Sequence, residues 1–161
     1  MNRAVLLLAA SLLSGPAVAQ MMGDGLTTGL PRSGGPTLDS YAVGLQLISN
    51  AHYAEAVPYL EGALQQRPHN ANILTNLGYA HRMAGDDYSV SIELWQDAIT
   101  RDPDDKKAHE YLGEVYLDLK QPDKARAQLA ELARICTSGC EDRDTLTKSI
   151  ADYDARKPPS P

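Results

Sequence analysis

The chain predicts an all-α fold, a solenoid of three helix–turn–helix repeats closed by one further helix. Glycines that follow an apolar residue (Val43-Gly44, Leu77-Gly78 and Leu112-Gly113) recur at intervals of 34 and then 35 residues. Downstream of each stands a small residue, Ala56, Ser91 or Ala125, at intervals of 35 and then 34. A bulky residue, Leu60, Trp95 or Leu129, follows four places later, suited to fill the gap beside the small one. Within the units, apolar positions fall at i, i+3, i+4 and i+7, the period of one helix face. The two interval series place one extra residue between Gly78 and Ser91, most simply in the turn Ala84-Gly85-Asp86-Asp87. Insertions belong in turns, so the arithmetic supports paired helices.

In chain order, residues 1–19 predict a cleaved export signal. Arg3 supplies the positive start, Ala4 to Leu13 an apolar stretch, Gly15-Pro16 a break, and Ala17-Val18-Ala19 the small residues of a cleavage site. The apolar stretch is too short to span a bilayer, which takes roughly 20 residues. A periplasmic or secreted chain beginning at Gln20 is expected. Residues 20–36, rich in Gly and Pro, predict a flexible leader. The first repeat, 37–70, carries Gly44, Ala56, Leu60, Ala63 and Pro68, with Pro58 inside its second helix, where a local kink is expected. The second, 71–105, carries Leu74, Leu77, Gly78 and His81, then Ser91, Leu94, Trp95, Ala98 and Ile99, with Asp86 or Asp87 as helix cap. The third, 106–139, carries Leu112, Val115, Tyr116 and Leu119, then Ala125, Gln128, Leu129, Leu132 and Ala133, with Pro122 suited to a first helical turn. In 140–156, Leu146, Ile150 and Tyr153 share a face, as in a helix that covers the open end of a repeat stack. Residues 157–161 predict an unstructured tail.

These units resemble the tetratricopeptide repeat, whose pattern is W-x₂-L-G-x₂-Y…A-x₃-F…P. The third unit matches at Leu112, Gly113, Tyr116, Ala125 and Leu129; the second at Leu77, Gly78, Trp95, Ala98 and Pro103. Departures are Ser40, Leu74 and His109 where Trp is frequent, His81 where Tyr is usual and Ser91 where Ala is. The resemblance implies a superhelix whose concave face is lined by the first helix of each unit and takes a protein or peptide partner. On that face the helical wheel places Tyr41 and Leu45 in the first unit. Thr75, Tyr79, Arg82 and Met83 follow in the second, and Lys107, Glu110, Glu114 and Asp118 in the third. The groove would run from apolar through mixed to acidic, which predicts a ligand carrying basic residues beside apolar ones.

Composition narrows the function further. A net charge of −6 and a pI near 5.1 are poorly suited to nucleic acid or anionic membrane. His109-Glu110 opens like a zinc-protease motif, but Gly113 takes the place of the second His. Asp102, Asp104 and Asp105 lead into Lys106-Lys107, unlike a calcium loop, and are expected to cap the next helix. No nucleophile elbow or phosphate loop occurs. The expectation is therefore a binding module, an adaptor or assembly factor, with no catalytic residue, cofactor or metal. Cys136 and Cys140 flank Thr137-Ser138-Gly139, and in an oxidising compartment a structural disulfide is expected. A thiol-redox or metal-handling accessory centred on these cysteines, and a self-association element of an envelope assembly, are the alternatives. The sequence leaves the oligomeric state open.

Overall fold

The computed structural model describes residues 39–156. The expected export signal, the leader, residues 37 and 38 of the first repeat, and the tail lie outside the described residues. Seven helices are described: α1 Ser40–Ser49, α2 Tyr53–Gln66, α3 Ala71–Ala84, α4 Tyr88–Arg101, α5 Lys106–Asp118, α6 Pro122–Ile135 and α7 Glu141–Ala155. Short polar side chains start four of them. Asp39 accepts from the Tyr41 N–H at 3.1 Å, Asn70 from Ile73 at 3.1 Å, Asp87 from Ser89 at 2.7 Å and Asp105 from Ala108 at 3.0 Å. Each bond satisfies one donor left open by the helix geometry. Pro122 opens α6, and α2 runs unbroken through Pro58, which stands on its exposed side.

The turns keep the register. Ala51, Gly85 and Lys120, each seven residues after the repeat glycine, all have positive φ, at 59°, 91° and 59°. Left-handed backbone is what reverses the chain here, and only the middle turn gives it to a glycine. The extra residue of the second unit therefore falls after Gly85, within the expected turn.

α1 with α2, α3 with α4 and α5 with α6 form the helix pairs, and α2–α3 and α4–α5 contacts join the units. Trp95 is fully buried in the second pair, its Nε1 donating to the Thr75 carbonyl at 3.0 Å. A methyl group at Gly78 would lie 2.7 Å from that nitrogen, and one at Gly44 would lie 2.6 Å from Leu60 Cδ2. The third unit departs from this pattern. At Gly113 the gap is filled by Leu146 of α7, whose Cδ2 would lie 2.5 Å from an added methyl, while Leu129 is only half-buried. α7 packs against both α5 and α6, more extensively against α5. The closing helix thus lies across the face of α5 that was expected to line the groove.

Candidate functional site on the inner face of the first helices

α1, α3 and α5 carry the expected groove residues, and their environments differ along the stack. At the first unit, Leu45 is 37% exposed. Tyr41 is fixed: Asn76 Nδ2 donates to its hydroxyl at 3.0 Å and the Arg67 guanidinium lies 5.5 Å over its ring. Arg67 is itself paired with Asp39 at 2.8 Å.

The second unit supplies an aromatic ladder. Tyr79 stacks on Tyr111 with centroids 4.9 Å apart and meets Tyr53 edge-on at 5.9 Å. Tyr111 in turn lies 5.6 Å from Trp95, so the surface rings connect directly to the core. Burial pushes the Tyr111 phenol up to about 12 and raises that of Tyr79, so both stay neutral. Met83 is 43% exposed and, with His52, Tyr53, Glu55 and Ala84, lines an open cleft of about 430 Å³. Sequence reasoning missed Tyr53 and Tyr111, which flank Tyr79 from α2 and α5. Their places follow from packing between helices and carry no signal in any single helical wheel.

Two residues expected in the groove do not line it. Thr75 is buried and donates to Asp105 Oδ2 at 2.6 Å, joining α3 to the start of α5. Glu110 is also buried, at 5% exposure, beneath α7. Lys107 Nζ reaches Glu110 Oε2 at 2.9 Å and Asp142 Oδ1 of α7 at 2.8 Å, the second contact made by proximity of charge without a well-directed hydrogen bond. Burial pushes the Glu110 carboxyl up to about 7; Lys107 opposes the shift and the neighbouring Asp142 adds to it. Burial alone would raise Asp142 and lower Lys107. Their contact with each other and with Glu110 outweighs it, so Asp142 lies below and Lys107 above its ordinary value.

The remaining acids of the expected wall are also paired. Arg82 Nη1 donates to Glu114 Oε2 at 2.8 Å and Nη2 to Asp118 Oδ2 at 3.1 Å, bridging α3 and α5. The inner face is therefore apolar and aromatic at one end, and crossed by internal ion pairs at the other. No free acidic wall remains there among the described residues.

The other chemistry-bearing residues are structural in their contacts. Both ring nitrogens of buried His109 are engaged, with Gln128 Oε1 at 2.7 Å and the Pro103 carbonyl at 3.1 Å. Asp105, rather than Asp104, caps α5. The Cys136 and Cys140 sulfurs stand at bonding distance, 2.06 Å, and both residues are buried. Among the described residues, no group of three His, Cys, Asp or Glu side chains could hold a metal ion.

Against known families, the tetratricopeptide repeat model matches residues 41–87 and 82–139, well over half of the chain. The chain belongs to the tetratricopeptide repeat family. No curated protein sequence matches it. Among solved structures it is similar to MamA from Desulfovibrio magneticus RS-1, with 26% identity and a TM-score of 0.57 over 60% of this chain and 54% of that one. The chain thus spans about half of that MamA structure. The tetratricopeptide repeat domain of Sgt2 from Aspergillus fumigatus matches with 23% identity and a TM-score of 0.62, over 81% of this chain and 92% of that one. The Yersinia enterocolitica chaperone SycD, in complex with a peptide of the translocator YopD, matches with 12% identity and a TM-score of 0.64, over 73% and 91%. The last two likenesses establish the shared fold alone.

Proposed function

We propose that this tetratricopeptide repeat protein is an exported, non-enzymatic binding module that captures a protein or peptide on the inner face of its first two repeats. One observation carries the site: Leu45, Tyr79, Tyr53 and Met83 leave apolar surface accessible there, backed by a rigid aromatic stack. Rigid rings lose little freedom on binding and contribute area and polar edges together. The structures of SycD with a YopD peptide and of RPAP3 with an HSP90 peptide support peptide capture as a use of this fold. With Glu110, Glu114 and Asp118 paired internally, the partner is held by its apolar residues, and basic ones contribute only at the rim.

Export rests on the small residues Ala17-Val18-Ala19, and N-terminal sequencing of chain from the envelope fraction should find Gln20 first. For the cysteines, burial argues for a staple over a reactive thiol, which needs access. The decisive experiment is crosslinked capture of the partner by the exported chain, comparing the parent with Leu45→Ser/Met83→Ser. Both side chains are exposed, so melting should change little while capture falls at every salt concentration. Undiminished capture would refute the inner-face site.

A further inference from the structure

The helix that covers α5 has the form of a ligand. α7 buries two residues, Leu146 and Ile150, where α5 buries eight. Its contacts with α5 follow one stripe, beside a lesser set with α6 that includes Arg126 paired with Asp154 at 2.8 Å. Asp142 stands against Lys107 and Glu110, Leu146 enters the gap at Gly113, and Ser149 and Asp152 share a hollow with Arg82, Glu114 and Leu117. Residues 142, 146 and 149 fall on one helical face, so a single amphipathic stripe accounts for the contacts with α5. Three acids in the first turn of α7 complement its own dipole, so the segment favours helix apart from its packing.

We propose that α7 is a built-in, displaceable occupant of a helix-binding surface on α5. The partner that replaces it is an amphipathic helix carrying an acid, a leucine four residues later and a second apolar residue four beyond that. The acid takes the place beside Lys107 and the leucine the gap at Gly113. This surface lies in the third repeat and is separate from the inner-face site proposed for the first two, so either can fail alone. A tethered occupant acts at an effective concentration on the order of millimolar. A competing helix therefore binds the intact chain weakly, in proportion to the small fraction that is uncovered. Loosening α7 must then raise the affinity of the competing helix without changing the surface beneath. A purely structural cap makes no such prediction.

The probe is a labelled peptide of this chain's residues 140–156 with serine in place of Cys140, titrated by fluorescence anisotropy against the whole exported chain with its cysteines bonded. Leu146→Ala in the chain should bind the probe at least tenfold more tightly than the parent does. A probe that itself carries Leu146→Ala should bind neither protein. Should Leu146→Ala lose its helical circular dichroism, Asp142→Lys in the chain decides, because it leaves Leu146 in place. It should also bind the parent probe more tightly than the unsubstituted chain. Equal affinity of parent and folded variants for the probe would overturn the proposal. So would concentration-dependent dimerisation of the parent chain in sedimentation velocity that the probe reverses, since the surface would then take the intact α7 of a second copy.

Discussion

A methyl group added at Gly62 meets no atom within 4 Å, whereas one at Gly78 lands 2.7 Å from Trp95 Nε1. Both glycines are inside helices, so the same substitution has opposite consequences. Gly62→Ala removes backbone freedom from the unfolded chain and should stabilise by about 0.5–1 kcal/mol. Gly78→Ala gains the same amount but forces the indole from its slot at the very nitrogen that donates to the Thr75 carbonyl, and should cost about 1–3 kcal/mol net. Denaturant melts of the two variants check this, and a stabilised Gly78→Ala would mean that the slot is loose. Glu110 supplies a second residue-scale prediction. Its carboxyl titrates near 7 in the fold, against 4.5 unperturbed, so the folded state holds a proton that the unfolded state has released between these values. That contribution is fully present below about 4.5 and is lost as pH rises through about 7. The parent should therefore lose stability over this window relative to Glu110→Gln, whose amide keeps the neutral form. Parallel melting profiles would contradict a buried, shifted carboxyl.

At the scale of elements, the ends of α6 and α7 are joined, since Cys136 is the C-cap of one and Cys140 the N-cap of the other. The closed loop is short, so its loss restores little unfolded-state freedom. Cys136→Ser/Cys140→Ser should cost about 2 kcal/mol at most and leave the helices in place. Thermal melts of the paired variant test the magnitude, and alkylation of exported chain without reductant should modify neither cysteine. The helices themselves were legible in the sequence because close approach needs small residues at a fixed period, and Gly44, Gly78 and Gly113 hold that period whatever surrounds them. The course of α7 was not legible. Whether Leu129 or Leu146 fills the gap at Gly113 depends on where a polar helix settles after the turn at 136–140, and both leucines satisfy the same local pattern. Thr75 and Glu110 were misplaced for a related reason. A helical wheel assigns a face but cannot show that Asp105 or α7 lies against it. Because Glu114 is paired with Arg82, Glu114→Lys sets a lysine against that guanidinium and should reduce stability as well as any effect on binding.

Across the whole molecule the core is uneven. One cluster, centred on Trp95, runs through α3 to α7, while a smaller one of Ala56, Leu60, Leu77 and Ala80 holds the first repeat to the second. α1 contributes a single buried residue, Gly44, and rests on partly buried Tyr41, Leu47 and Ile48. In repeat proteins stability is close to a sum over neighbours, so the end with fewer buried contacts opens first. Amide exchange should accordingly be fast in α1, as in the displaceable α7, and slower in α5, which also packs against α4 and α6. The accessible surface formed by Leu45, Tyr53, Tyr79 and Met83 thus spans the boundary between the loosely held repeat and the rigid body. A partner seated there binds both sides of that boundary, and by mass action must stabilise the pair against opening. Exchange in α1 should therefore slow on partner binding while exchange in α5 stays unchanged. Equal protection of α1 and α5 in the free chain would show that the first repeat is as firmly held as the rest. Slowing confined to α5 would shift the binding surface to the third repeat.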